Sequence, residues 1–266
     1  MFARPLIAFV LLAGASGAAR AADPYASEWA DAGKAQARLL AGGPGAAAFE
    51  IRLAPGAITY WRNPGDAGAP PNFDFSGSTN LASAEPQFPA PERIVESDGS
   101  EAYGYRSDVV FAIVVQAVDP SKPVTLALKA GYAVCEKICL PARANLTISL
   151  PDRVSTPYAA AIGEAKAATP RPVAWGSLGA ELAAVDASDW RLCLASEPGP
   201  TRDLFLEPPT GWWLSSKAEP ASGGRDCFSV TLHEKPEQAK LPVSARATIT
   251  GGAGPLDVTV SFGPKS

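Results

Sequence analysis

The sequence predicts an all-β protein of two β-sandwich domains in tandem, joined by a short helical linker. Three observations carry this expectation. Short runs alternate apolar with other residues at the two-residue period of a strand, as in Ala48-Phe49-Glu50-Ile51-Arg52-Leu53. Proline and glycine, 26 and 24 in number, punctuate those runs as turn residues do. A helix-like stretch flanked by prolines separates two lengths of chain with similar strand rhythm but no sequence repeat.

Taken in order, residues 1–21 read as an export signal. Arg4 supplies the positive start, Pro5 to Ala13 the apolar stretch, and Ala19-Arg20-Ala21 the small-x-small pattern before a cleavage point. The apolar run is broken by Gly14, Ser16 and Gly17 and is shorter than the ~20 residues of a spanning helix. No later segment is long and apolar enough to span, so the exported chain is expected to be soluble. Residues 22–155 form the first expected domain. Helical periodicity runs over Ser27–Leu40, and strands are expected at Ala48–Leu53, Val109–Val115, Val124–Leu128 and Asn145–Leu150. A linker helix over Tyr158–Ala167, between Pro151 and Pro170-Arg171-Pro172, falls within residues 156–171. In the second domain, residues 172–266, strands are expected at Trp190–Leu194, Leu204–Leu206, Phe228–Leu232, Val243–Ile249 and Leu256–Val260.

Composition narrows the function classes. A net charge of −4, with scattered Lys and Arg, argues against nucleic acid or an acidic membrane surface as partner. The single histidine, His233, leaves almost no room for histidine-based catalysis or a multi-histidine metal site. All four cysteines lie in the exported part, where disulfides form and persist.

The cysteines fall into two kinds. Cys135-Glu136-Lys137-Ile138-Cys139 is a C-x3-C run. In an extended strand its ends would lie ~13 Å apart, beyond the ~7 Å reach of a disulfide, so pairing requires a turn or bulge at residues 136–138. A staple closing so short a ring contributes only ~2 kcal/mol in the chain-entropy model, whereas a short ring at a turn is easily reduced. Redox chemistry, metal binding and a plain staple all remain open from spacing alone. Cys193 and Cys227 are each out of phase with the apolar positions of their own strands. Both therefore point to an outer face, and pairing them closes a long loop for ~4 kcal/mol, which favours a structural disulfide. Copper is the rival for the first pair. C-x3-C resembles the site of the Sco family of copper chaperones, although that family has proline directly after the second cysteine and here Leu140 precedes Pro141. Two thiolates with His233 would be the Cu(I) ligands in that reading.

The run Gly131-Tyr132-Ala133-Val134-Cys135-Glu136-Lys137-Ile138-Cys139-Leu140-Pro141 resembles the N-terminal periplasmic domain of DsbD-type protein-disulfide reductases, and more closely their ScsB branch. The resemblance extends to Tyr60-Trp61-Arg62-Asn63-Pro64-Gly65-Asp66-Ala67-Gly68-Ala69-Pro70-Pro71, to Phe73-Asp74-Phe75-Ser76-Gly77 and to Pro89-Ala90-Pro91, covering most of residues 45–150. It implies immunoglobulin-like sandwiches, a periplasmic location and no cofactor. It also implies electron transfer from a thioredoxin-like or membrane electron-transfer protein to exported protein substrates. Carried over, Cys139 forms the mixed disulfide and Cys135 resolves it. Glu101-Ala102-Tyr103-Gly104 resembles the loop that caps the disulfide. Ala102 stands where the family has a covering aromatic, and Tyr103 or Tyr105 is the expected substitute. Trp61 either borders the site or fills the core beneath a turn. Full-length relatives carry a transmembrane domain and a thioredoxin-like domain, neither of which is in this sequence, so electrons are expected from separate proteins.

Three functions thus compete: an oxidoreductase using Cys139 and Cys135, a copper-binding chaperone or adaptor, and a purely structural protein with two staples.

Overall fold

The computed structural model describes residues 23–66, 68–96, 99–152, 155–221 and 223–264. The expected export signal lies outside them. The first part of the chain contains β1 (Ala30–Asp31), β2 (Ala35–Gly43), β3 (Ala46–Leu53), β4 (Ile58–Gly65), β5 (Asn72–Asp74), β6 (Leu81–Gln87), β7 (Glu92–Val95), β8 (Glu101–Tyr105), β9 (Val109–Ala117), β10 (Thr125–Cys135) and β11 (Cys139–Ser149). Helix α1 (Ala159–Ala167) follows. Then come β12 (Arg171–Pro172), β13 (Glu181–Ala184), β14 (Asp189–Ala195), β15 (Asp203–Glu207), β16 (Trp213–Ala218), β17 (Arg225–Glu234), β18 (Val243–Thr250) and β19 (Leu256–Phe262).

These strands make four sheets. One has the order β1-β2-β3-β9-β6, and the second β11-β10-β4-β8-β7 with β5 added along β10. The third is β12-β19-β18-β15 and the fourth β13-β14-β17-β16. The first two sheets enclose one core, in which Phe49, Phe111, Leu39 and Ile113 meet Leu126, Leu128, Tyr132 and Leu146. The other two enclose a second, built on Trp190, Leu192, Phe228, Ala247, Val258 and Phe262. Strands such as β9, β10, β14 and β18 supply alternate residues to their cores, as burial of one sheet face requires. The fold is the nearly all-β one expected.

The helix expected over Ser27–Leu40 is instead β1 and β2. Ala37, Leu39 and Ala41 point inward at strand spacing. Leu40 is apolar too because the outer face of this sheet is covered: α1 lays Ile162 and Ala165 over Leu40, Ala48 and Ala112. Burial on both faces erased the alternation that marks a strand. The linker helix forms, then, but it is also a lid on the first sheet.

The two cores meet at β15. Leu204 and Leu206 turn into the second core, while Phe205, fully buried, enters the first. There its ring makes edge contacts with Trp61 (6.1 Å between centroids) and Tyr103 (4.9 Å). On one side, Arg62 holds Glu207 through two 2.8 Å bonds. On the other, Arg93 holds Asp203 through two 2.9 Å bonds. Such forked pairing fixes orientation as well as separation.

Candidate functional site

The C-x3-C pair closes the β10–β11 hairpin. Its register runs unbroken from Thr125↔Ser149 to Cys135↔Cys139, so residues 136–138 are the turn and the two cysteines face each other across it. Their Cα atoms are 4.0 Å apart and they are disulfide-bonded. Tyr132 and Val134 point into the core, which puts Ala133 and Cys135 on the outer face of the sheet.

The two sulfurs have unequal surroundings. Cys135 is 4% exposed and belongs to a small outer cluster with Ile58, Tyr60, Ile94, Ala102 and Ala133. Cys139 is exposed, beside Ile138 (75% exposed) and Leu140 (52%). The Tyr60 hydroxyl lies 2.8 Å from the Cys135 sulfur and 3.4 Å from that of Cys139. A disulfide has no hydrogen to give, so the phenol donates. Burial, followed by the charge of Glu96, raises the Tyr60 pKa and keeps that donor protonated. Close approach holds its ring. A Cβ on Gly104, which pairs with Tyr60, would stand 2.2 Å from the Thr59 carbonyl oxygen, and one on Gly68 would stand 2.5 Å from the Tyr60 ring. At the turn, Lys34 holds Glu136 at 2.9 Å, which lowers the Glu136 pKa and ties the hairpin tip to the β1–β2 turn.

The structure does not bring Tyr103 and Tyr105 to the disulfide. They share one face of β8, buried in the inter-sheet core, and only Ala102 of that strand joins the cluster around Cys135. Tyr103 contacts Phe205, and the Tyr105 hydroxyl donates to the Pro89 carbonyl at 2.9 Å. Glu101 likewise faces away, bonded to Arg93. Trp61 is fully buried and takes the core reading. A period of two sends neighbours to opposite faces, so substituting Tyr103 for Ala102 as the cover was impossible on an extended strand. The aromatic that meets the sulfurs is Tyr60, one residue before Trp61. The signal for it was in the Tyr60–Pro71 segment, where Tyr60 and Trp61 must point oppositely.

Cys193 and Cys227 are also joined, directly opposite each other on β14 and β17. They lie on the face away from Leu192 and Phe228, yet are only 6% and 5% exposed. His233 stacks on Trp213 and bonds Ser215, on β16 and β17. It is not assembled with Cys135 and Cys139, and no group of three or more potential metal ligands exists among the described residues.

Comparison with known proteins places this geometry. Residues 27–151 match the family model described as "Thiol:disulfide interchange protein DsbD, N-terminal". The crystal structure of the N-terminal periplasmic domain of ScsB from Proteus mirabilis superposes with a TM-score of 0.70 at 21% identity, over 91% of this chain and 100% of that one. It therefore shares the fold across both sandwiches. An endo-fucoidan hydrolase, MfFcnA9 of glycoside hydrolase family 107, aligns at 11% identity over 82% of this chain and 35% of that one, with a TM-score of only 0.16. No curated protein matches the chain. Among the described residues, no helix is long and apolar enough to cross a membrane.

Proposed function

We propose, from the premise that residues 27–151 are a DsbD N-terminal-type domain, that this chain is a periplasmic thiol–disulfide interchange protein. It takes reducing equivalents from a thioredoxin-like or membrane donor and passes them to exported protein disulfides through Cys135 and Cys139. The observation that carries the reading is the inequality of the two sulfurs: Cys139 exposed beside apolar Ile138 and Leu140, Cys135 buried under a hydrogen-bond donor.

The chemistry follows from that inequality. A donor thiolate attacks the accessible Cys139 sulfur, forming a mixed disulfide as the Cys135–Cys139 bond breaks and Cys135 leaves as a thiolate. The Tyr60 hydroxyl donates to that leaving sulfur, where water has little access. The donor's second thiolate then attacks its own partner sulfur, releasing Cys139 as a thiolate and the donor as a disulfide. Two electrons have moved to the Cys135–Cys139 pair. In the forward half, Cys139 attacks a substrate disulfide and Cys135 resolves the adduct, with the electron count restored. Ile138 and Leu140 offer the partner an apolar seat that costs no desolvation of charge.

The test is trapping. Cys135→Ala mixed with an oxidised thioredoxin-like domain should accumulate a mixed disulfide on a non-reducing gel, and Cys139→Ala should not. Efficient trapping by Cys139→Ala would reverse the roles, and trapping by neither would refute interchange through this pair.

A further inference from the structure

The strand that carries Tyr60 is not held by its own sheet alone. β4 pairs with β8 at Thr59↔Tyr105 and Tyr60↔Gly104, and the ladder then breaks until Gly65↔Ala102. The residues in that gap are bonded to the second sandwich instead. Arg62 grips Glu207 and also reaches Thr248 at 3.4 Å, and the Asn63 side chain donates to the Leu206 carbonyl at 2.7 Å. Beside Arg62, Trp61 packs against Phe205. β7 and β8 are secured from the same side. Arg93 of β7 holds Asp203 and the Leu204 carbonyl, and Tyr103 of β8 meets Phe205. Ile94, next to Arg93, and Ala102, next to Tyr103, are the residues that pack around Cys135 with Tyr60. Each of the three strands thus places a residue in the cluster around Cys135 directly beside one that faces the second sandwich.

From this juxtaposition we infer that the second sandwich is a positioning element of the redox centre: β15, through Phe205, Asp203 and Glu207, sets where Tyr60 stands relative to the Cys135 sulfur. The inference rests on the interchange reading above and assigns a task to the second sandwich within it. Phe205 is a positioning residue, since it touches neither sulfur. Its effect is on the leaving thiolate and not on access, because Cys139 is exposed whether or not β15 is docked. Loosening β15 should therefore slow exchange. A hydrogen-bond donor displaced by about 1 Å stabilises a developing charge much less well.

The experiment is a double-mutant cycle in the full chain, reading the rate at which dithiothreitol reduces Cys135–Cys139. Phe205→Ala should slow reduction by about three- to tenfold, as Tyr60→Phe does, and the double variant should be no slower than Tyr60→Phe alone. Retention of the Cys193–Cys227 disulfide and a cooperative melt establish that each variant is folded. Should Phe205→Ala not fold, Glu207→Gln, which keeps shape and removes the charge gripping Arg62, carries the same test with a smaller slowing. An unchanged rate in these variants overturns the inference, and so does a slowing that multiplies with that of Tyr60→Phe. Failure of the wild-type pair to exchange at all is a different result and counts against interchange itself.

Discussion

Replacing Tyr60 with phenylalanine removes one oxygen from the redox centre and leaves its packing intact. The structure sets the size of the effect. The hydroxyl stands 2.8 Å from a sulfur whose residue is 4% exposed, so water cannot readily take its place when Cys135 leaves as a thiolate. A hydrogen bond to a charged group is worth about 1.5–3 kcal/mol. Roughly half of that is felt in the transition state, given the fractional charge that thiol exchange develops. The result is about 0.7–1.5 kcal/mol, or a three- to tenfold slower reduction. In the oxidised protein the lost bond is a neutral one, so Tm should fall by less than about 4 °C. The assay is reduction by excess dithiothreitol, quenched by alkylation and mapped by mass, with Cys193–Cys227 as internal control. Wild-type kinetics in Tyr60→Phe would refute the role given to the hydroxyl, as would equal slowing of both disulfides.

Stepwise dithiothreitol titration should open Cys135–Cys139 before Cys193–Cys227, because Cys139 is exposed while the second pair is 6% and 5% exposed; simultaneous opening would contradict the redox assignment. Tyr132→Phe should leave stability unchanged or raise it by about 1 kcal/mol at neutral pH, since this buried hydroxyl has no hydrogen-bonding side chain or backbone partner among the described residues. Burial, then Asp31, pushes the Tyr132 pKa from 10.0 up to about 12. The folded protein therefore favours the neutral phenol, and the associated stability, about 2 kcal/mol once solvent screening is allowed for, is present below pH 10 and lost as pH rises toward 12. Urea melts across that window should show the loss in wild type and less of it in Tyr132→Phe. Arg62→Ala should cost about 1–3 kcal/mol through its bonds to Glu207 and its position 4.1 Å over the Trp61 ring. An Arg62/Glu207 double-mutant cycle showing coupling within a few tenths of a kcal/mol of zero would contradict the clamp.

Where one face of a strand meets a core and the other meets water, the sequence alone decides the structure. That is why β11, β14 and β18 are legible in their alternation, and why Cys193 and Cys227 can be assigned to the face opposite Leu192 and Phe228. The C-x3-C spacing likewise requires a turn at residues 136–138, since an extended chain cannot close that ring. Three features needed the tertiary structure. β2 reads as a helix because α1 buries its second face, and that partner lies more than a hundred residues away in the chain. The cover of the disulfide is Tyr60 and not Tyr103 or Tyr105, because alternation tells which residues share a face but not which neighbour that face will meet. Phe205 looks like one more apolar residue in Asp203-Leu204-Phe205-Leu206-Glu207, and only docking shows that it completes the other sandwich's core. Local pattern is set by the chain's own geometry, whereas a face buried by a distant segment obeys the packing of two surfaces, and no single stretch of sequence contains both.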